Sequence, residues 1–204
     1  MPNFDHKEAS RETFDKVAKN YEAHYMGRHS LSLHPKVMQF ITPIPHNSIL
    51  DVGCGPGNLL ANLDSLGTKL YGSDISPEMI RRAKERLGDR AELKVADSEH
   101  LPWPDNNFDV VISTDSFHHY PSPEAVLREM GRVLVSKGHL VIADPYYSEF
   151  FRKLLNYSFR FSKQGDVKVY SQDEWKSMLK NTGLKLLDWD TSIRGSVVLK
   201  AQFE

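Results

Sequence analysis

The 204-residue sequence predicts a doubly wound α/β domain. Three observations carry that prediction. Short apolar runs alternate with stretches of helical periodicity between residues 48 and 144. Two of the helical stretches open on Ser-Pro, at Ser76-Pro77 and Ser122-Pro123, a side-chain cap followed by the residue that suits the first helical position. The first apolar run, SILDV at 48–52, ends in glycines, as a buried parallel strand that feeds a helix does. Alternation of this kind implies a mostly parallel sheet with helices on both faces.

Each element has its own local reason. After the strand at 48–52 comes a helix over 57–66, with Leu59, Leu60, Leu63 and Leu66 on one face. KLYGSD (69–74) is the second strand. The helix opened by Ser76 runs to about Leu87, where Gly88 stops it. AELKVA (91–96) alternates as a strand does, and FDVVIS (108–113) follows a proline-bearing loop. The helix from Pro123 is expected to end near Gly138, ahead of a fifth strand, HLVIAD, at 139–144. Ser171 and Glu174 then form a capping box before WKSMLKNT. Two last strands, at 184–190 and 196–203, are joined by a loop holding Gly195. A loop that short forces them antiparallel, because a parallel crossover needs a dozen or more residues.

Composition narrows the function classes. A chain of this length buries roughly 70% of its unfolded surface and needs no staple. Formal net charge is −1 and the pI about 6.8, so there is no basic surplus for a nucleic-acid partner. The single cysteine, Cys54, excludes an internal disulfide and a CxxC metal pair, and fits a reducing, cytoplasmic setting. The polar start, MPNFDHKEAS, has no apolar stretch of a secretory signal. No apolar run approaches the roughly 18 residues of a membrane span, so integral membrane association is not expected.

The chemical signal lies at the strand ends. Asp51-Val52-Gly53-Cys54-Gly55-Pro56-Gly57-Asn58 leads from a strand straight into a helix. Glycines there let backbone approach a ligand, and the helix start offers free N–H groups. Alone, such a turn is also simply a tight connection. Asp74 ends the second strand, where an acid accepts both hydroxyls of a ribose, and Asp97 ends the third. Three acids at the ends of three consecutive strands mark the crevice in which such sheets bind ligands.

These residues also carry a family resemblance. DVGCGPG, Asp74 in YGSDISPEM, Asp97 in VADSEHLPW, and FDVVISTDSFHHY before RVLVSKGHLVIAD resemble class I S-adenosylmethionine-dependent methyltransferases, over about residues 10–144. The pattern is similar to the small-molecule branch that includes ubiquinone and menaquinone biosynthesis enzymes. FDKVAKNYEAHY (14–25) resembles that branch's N-terminal helix, which closes over the cofactor. The resemblance implies a seven-stranded Rossmann-like sheet with the last strand antiparallel, in agreement with the C-terminal pair. It implies one methyltransferase domain over 1–204: a helical cap at 1–45, a cofactor-binding core at 46–144, a substrate cap at 145–170, and a C-terminal helix and strand pair at 171–204.

Residue roles implied by the resemblance follow the motifs. Gly53, Gly55 and Gly57 would pack on the methionine part of S-adenosylmethionine, with Asp51 anchoring its amino group. Asp74 would take the ribose hydroxyls, Ile75 and Met79 would sandwich adenine, and Asp97 with Ser98 would bind its edge. Thr114 would offer a carbonyl to the ammonium, and Tyr21 would close the carboxylate end. Packing alone would equally explain Ile75, Met79 and Tyr21. Methyl transfer needs mainly an acceptor held in line, so no catalytic dyad is required. Of Asp115, His118, His119 and Tyr120 after the fourth strand, His118 is the expected base or contact for a small-molecule acceptor. No metal is expected at His118-His119, since chain neighbours usually point apart. Residues 146–170 are expected to include an amphipathic helix, with Phe150, Phe151, Leu154 and Leu155 at helical spacing; its aromatic side would line the acceptor pocket with a basic rim, though a surface helix with a solvated basic face, or one touching a membrane surface, would show the same pattern.

Competing classes fit less well. A nicotinamide oxidoreductase would show G-x-G-x-x-G, whereas the spacing here is G-x-G-x-G, and no tyrosine has a lysine four residues later. A nucleic-acid amino-methyltransferase would place its D/N-P-P-Y motif after the fourth strand, whereas Asp144-Pro145-Tyr146-Tyr147 follows the fifth and lacks the second proline. A protein that binds S-adenosylmethionine without turnover stays open.

Overall fold

Every apolar run becomes a strand in the computed structural model, which describes residues 4–64 and 67–204. Leu66, the last apolar position of the helix expected over 57–66, lies outside the described residues. The strands are β1 (Ser48–Val52), β2 (Lys69–Asp74), β3 (Ala91–Val95), β4 (Phe108–Thr114), β5 (Leu134–Pro145), β6 (Leu184–Asp190) and β7 (Ser196–Phe203). They form one sheet in the order β3-β2-β1-β4-β5-β7-β6. β1 to β5 pair in parallel, and β7 runs antiparallel between β5 and β6. The fold is therefore the seven-stranded, Rossmann-like sheet with an antiparallel last strand.

The helices are α1 (His6–Val17), α2 (Tyr25–Ile41), α3 (Asn58–Leu63), α4 (Pro77–Leu87), α5 (Pro123–Val133), α6 (Glu149–Phe159) and α7 (Gln172–Asn181). Two buried clusters show how they cover the sheet. Leu33, Val37 and Ile41 of α2 pack with Leu59 and Leu60 of α3 and Ile80 and Ala83 of α4 on one face. Val126 and Met130 of α5 pack with Trp175 and Leu179 of α7 on the other. Ser76 caps α4 through the Met79 N–H, and Ser171 and Glu174 close the expected capping box. Among the described residues no helix is long and apolar enough to cross a membrane.

One boundary differs from the sequence reading. The helix from Pro123 stops at Val133, not near Gly138, and β5 already begins at Leu134. Leu134 pairs with Phe108, and the register then jumps so that Val110 meets His139. Lys137, at φ +63°, and Gly138 turn the chain inside that bulge. Val133 and Leu134 are both fully buried, so the apolar period runs unbroken across the helix end and hides it.

The topology locates the crevice. From β1 the chain steps outward through β2 to β3, then returns to the far side of β1 as β4. Loops leaving β1 and β4 diverge at this switch point, where open α/β sheets bind ligands.

Candidate active site

The turn after β1 is shaped by backbone that only glycine adopts freely. Gly53 has φ +78° and Gly55 has φ +52°. A Cβ on Gly53 would also sit 2.2 Å from Ser116 Oγ, so a side chain would force the β1 turn off the loop after β4. The Gly53 and Cys54 N–H groups donate to the Ser73 carbonyl at 2.8 and 2.9 Å. Asp74 completes the frame: Oδ2 accepts the Gly55 N–H at 2.9 Å and Oδ1 the Ser76 N–H at 2.8 Å. The Ile75 N–H also bonds this carboxylate, so the turn and the α4 start are fixed to it by three backbone donors.

A cleft of roughly 900 Å³, open to solvent, lies over these strand ends. Its wall brings together Asp51, Gly53, Gly55, Asp74 and Ile75 with Met79, Asp97, Ser98, Thr114 and Tyr21. Two of the residues singled out from sequence are not on that wall. Gly57 caps α3 at φ +76°, where a Cβ would come 2.9 Å from Leu87 Cδ1, so it serves the close approach of α3 to α4. His118 sits behind the wall in a 3₁₀ turn, Phe117–His119, with Nδ1 3.0 Å from Asp144 Oδ1.

The cleft is electronegative. Asp51, Asp74, Asp97 and Asp115 line it, and Lys7 is its one Lys or Arg among the described residues. Asp51 Oδ1 is buried with no hydrogen-bond partner, and burial pushes this carboxyl up to about 7. Burial likewise holds Asp74 at about 6, despite the backbone N–H groups that favour its charge. Thr114 Oγ1 and Ser73 Oγ are further buried polar atoms on the wall without a partner. Lys7, on α1, reaches Asp97 at 2.7 Å and Glu99 at 2.8 Å and so latches the N-terminal helix across the cleft. Burial opposes ionisation of Asp97, but the Lys7 ammonium outweighs it and keeps this carboxyl below its usual range. No local sequence signal pointed to Lys7, because its partners are about 90 positions away.

Around Tyr21 the wall continues with Phe14, Ser30, His34, Asp115, His119 and Tyr120. Asp115 takes the left-handed region at φ +55°, and its Oδ2 lies 2.9 Å from His29 Nδ1. His29 Nε2 is in turn 3.1 Å from Ser196 Oγ, which ties α2 to the ends of β4 and β7. The His119 ring meets Phe14 edge-on at 5.2 Å. Burial, helped by the neighbouring His118, drives its pKa down to about 3, so it stands neutral. Burial also disfavours the His118 cation, but Asp144 outweighs it and raises that imidazole to about 9. The two rings do not point apart as expected; their centroids are 4.2 Å from each other. Asp115, His118 and Asp144 bring ligand-type atoms within 4.8 Å, yet His118 Nδ1 is already engaged by Asp144.

The segment expected to cover the acceptor pocket lies away from the cleft wall. Phe150 and Phe151 point into solvent, off the cleft wall. Asn156 explains the rotation of α6: its Nδ2 donates to the Val169 carbonyl and its Oδ1 accepts the Val169 N–H. The stretch after α6, not α6 itself, packs behind the cleft, and no residue of 146–170 is on the cleft wall. Val167 and Lys168 N–H donate to the His118 carbonyl at 2.9 and 3.2 Å, and the Tyr25 hydroxyl donates to Gln164 at 3.0 Å.

Comparison with known proteins agrees with this geometry. Residues 50–142 match the family model described as methyltransferase domain. The chain is 38% identical over 104 residues to methyltransferase GfsG of Streptomyces halstedii, covering 48% of this chain and 37% of that protein. It is 32% identical over 145 residues to the 27-O-demethylrifamycin SV methyltransferase of Amycolatopsis mediterranei, covering 67% and 53%. It thus spans only part of these relatives' lengths. Among solved structures, the methyltransferase of Haloferax volcanii in complex with the Trm112 methyltransferase activator superposes with a TM-score of 0.82 at 20% identity, over 95% of this chain and 97% of that one. At that identity the likeness speaks for fold alone. The matched stretch runs from β1 to β5 and carries the glycine turn and the strand-end acids, so residues 50–142 belong to the methyltransferase-domain family.

Proposed function

We propose that the chain binds S-adenosylmethionine in the cleft over β1, β2 and β4 and transfers its methyl group to a small-molecule acceptor held near Phe14 and His119. The observation that carries this reading is Asp51: a buried carboxylate with one oxygen unpartnered, in a cleft of acids. A buried carboxylate without a counter-charge is costly, and a ligand ammonium removes that cost. A cationic cofactor therefore fits. The pyrophosphate of a nicotinamide dinucleotide would instead face Asp51, Asp74 and Asp115.

When bound, the cofactor supplies an electrophilic methyl group on a sulfonium. The protein's share is positioning. Asp51 and Thr114 would hold the amino-acid end, and the Asp74 carboxylate the ribose. Ile75 and Met79 would flank the base, with Asp97 and Ser98 at its edge. Gly53 and Gly55 let backbone approach without a Cβ between. Tyr21 and the α1 latch exclude water from one side. His119, on the wall, is better placed than His118 to touch an acceptor. His118, paired to Asp144 behind the wall, orients the turn and the stretch after α6.

Titration calorimetry with S-adenosylmethionine, S-adenosylhomocysteine and NAD tests the cofactor reading: the first two bind and NAD does not. Release of S-adenosylhomocysteine against an acceptor panel separates an enzyme from a protein that only binds the cofactor. NAD binding without a response to S-adenosylmethionine would overturn the proposal.

A further inference from the structure

Helix α6 is built inside out. Phe150, Leu154 and Tyr157 of α6 follow the i, i+4, i+7 spacing of a single helix face, normally the buried one, and Phe161 in the turn just past the helix end continues the stripe. Here they are 73%, 57%, 58% and 71% exposed, with Phe151 beside them at 61%. No residue of α6 is fully buried. The helix is not free to roll this stripe inward. Its other face carries Asn156, bonded twice to the Val169 backbone, and Arg152, 3.4 Å from Glu174. The aromatic rings pack on one another in pairs, Phe150 with Phe151 and Tyr157 with Phe161, each at 5.5 Å.

Charge says what this face suits. Between residues 149 and 163 stand Arg152, Lys153, Arg160 and Lys163 against the single acid Glu149, in a chain whose net charge is −1. Glu149 is itself bound to Lys153 at 2.6 Å. A second copy meeting this face by two-fold symmetry would set the basic groups against themselves. An anionic surface complements them, and a lipid bilayer also accepts aromatic side chains between its headgroups.

We propose that α6 is a peripheral docking helix for an anionic lipid surface: Phe150, Leu154, Tyr157 and Phe161 enter the headgroup–acyl boundary, while Lys153, Arg160 and Lys163 stay among the lipid phosphates. The stretch that leaves α6 lies against His118 and α1, so docking holds that side of the cleft close to the bilayer. The inference does not depend on which acceptor is methylated, or on methyl transfer itself.

Co-sedimentation of the full chain with vesicles tests it. The protein partitions onto phosphatidylcholine vesicles containing phosphatidylglycerol and only weakly onto phosphatidylcholine alone. Phe150→Ser with Leu154→Ser lowers partitioning at least about tenfold, from the lost burial of two large apolar side chains. Arg160→Gln with Lys163→Gln lowers it several-fold and removes most of its salt dependence. All these positions are exposed, so thermal melting and cofactor titration stay as in the parent chain and show that the fold is intact. No binding to the anionic vesicles would overturn the proposal, as would binding that the apolar variant leaves unchanged. So would a dimer, seen by light scattering, that the apolar variant dissolves while vesicles bind neither form.

Discussion

Asp51 and the two histidines show how chain neighbours or near-identical groups acquire different chemistry from their surroundings. Asp51 is buried and faces the carboxylate of Asp74, so its carboxyl rises to about 7. A ligand ammonium would favour the ionised form. Binding of S-adenosylmethionine near pH 7 should therefore release part of a proton and tighten as pH rises toward 7, then level off. Calorimetry in two buffers of different ionisation enthalpy reads that proton directly; identical heats would remove Asp51 as the anchor. Asp51→Asn should weaken the cofactor roughly ten- to hundredfold, the worth of one charged hydrogen bond. His119 and His118 should separate in the same way. His119→Ala should lower turnover by up to about 10²–10⁴-fold if the imidazole accepts a proton, and less if it only positions the acceptor, with cofactor affinity nearly intact. His118→Ala should instead cost stability, about 3–5 kcal/mol, because Asp144 is left buried without its cationic partner, with only the Phe117 N–H on its Oδ1. Equal loss of turnover in both variants, at equal melting temperature, would contradict the division of roles.

At the scale of elements, the site is assembled by pieces that sequence distance keeps apart. The turn after β1 is held by Ser73 and Asp74 of β2 and faces Ser116 of the loop after β4. α1 is held down by Lys7 on Asp97 and Glu99, side chains that are about a third exposed or less. Exposed ion pairs contribute little, up to about 1 kcal/mol. The latch is therefore one that opens. Lys7→Ala should raise amide hydrogen exchange in α1 and weaken the cofactor by no more than several-fold, chiefly by faster release. High salt should mimic it in the parent chain and change nothing in the variant. Unaltered exchange in α1 would show that packing of Phe14 and Tyr21, not the ion pair, holds the helix. The sheet itself owes nothing to this latch, because its core is closed on both faces by α2 to α5 and α7.

For the whole molecule, the same groups set how stability depends on pH. His118 has its folded pKa raised to about 9, above the roughly 6.5 of an unfolded histidine. Its contribution is complete below pH 6.5 and is lost as pH climbs through 9. His119 has its folded pKa lowered to about 3, so its contribution is present above 6.5 and fades as pH falls below that value. Asp51 and Asp74 have raised pKa values, about 7 and about 6, so the ligand-free chain loses stability as both ionise on the way up to neutrality. Above about pH 8 the only one of these four still titrating is His118. The melting temperature of the ligand-free protein should fall between about pH 8 and 9, and His118→Gln should flatten that slope. A slope that survives the substitution would place its origin elsewhere. Cofactor bound at Asp51 should raise the melting temperature more at pH 8 than at pH 6.

Read from sequence alone, the strand–helix alternation, the capped helix starts and the antiparallel final pair were all legible, because each rests on interactions within a few residues. The glycine turn and the acids at 51, 74 and 97 were legible for a related reason: in a parallel sheet every strand ends on the same side, so residues at strand ends converge whatever lies between them. What the sequence could not decide depended on rotation and on distant partners. A buried run continuing through Val133 and Leu134 concealed a helix end that only pairing with Phe108 defines. Which of two adjacent histidines lines the cleft was settled by Asp144, 26 positions from His118. Whether the aromatic stripe of α6 faced inward or outward was settled by Asn156 bonding to the Val169 backbone. Periodicity shows that a helix has an apolar side; only the packed neighbours determine where that side points.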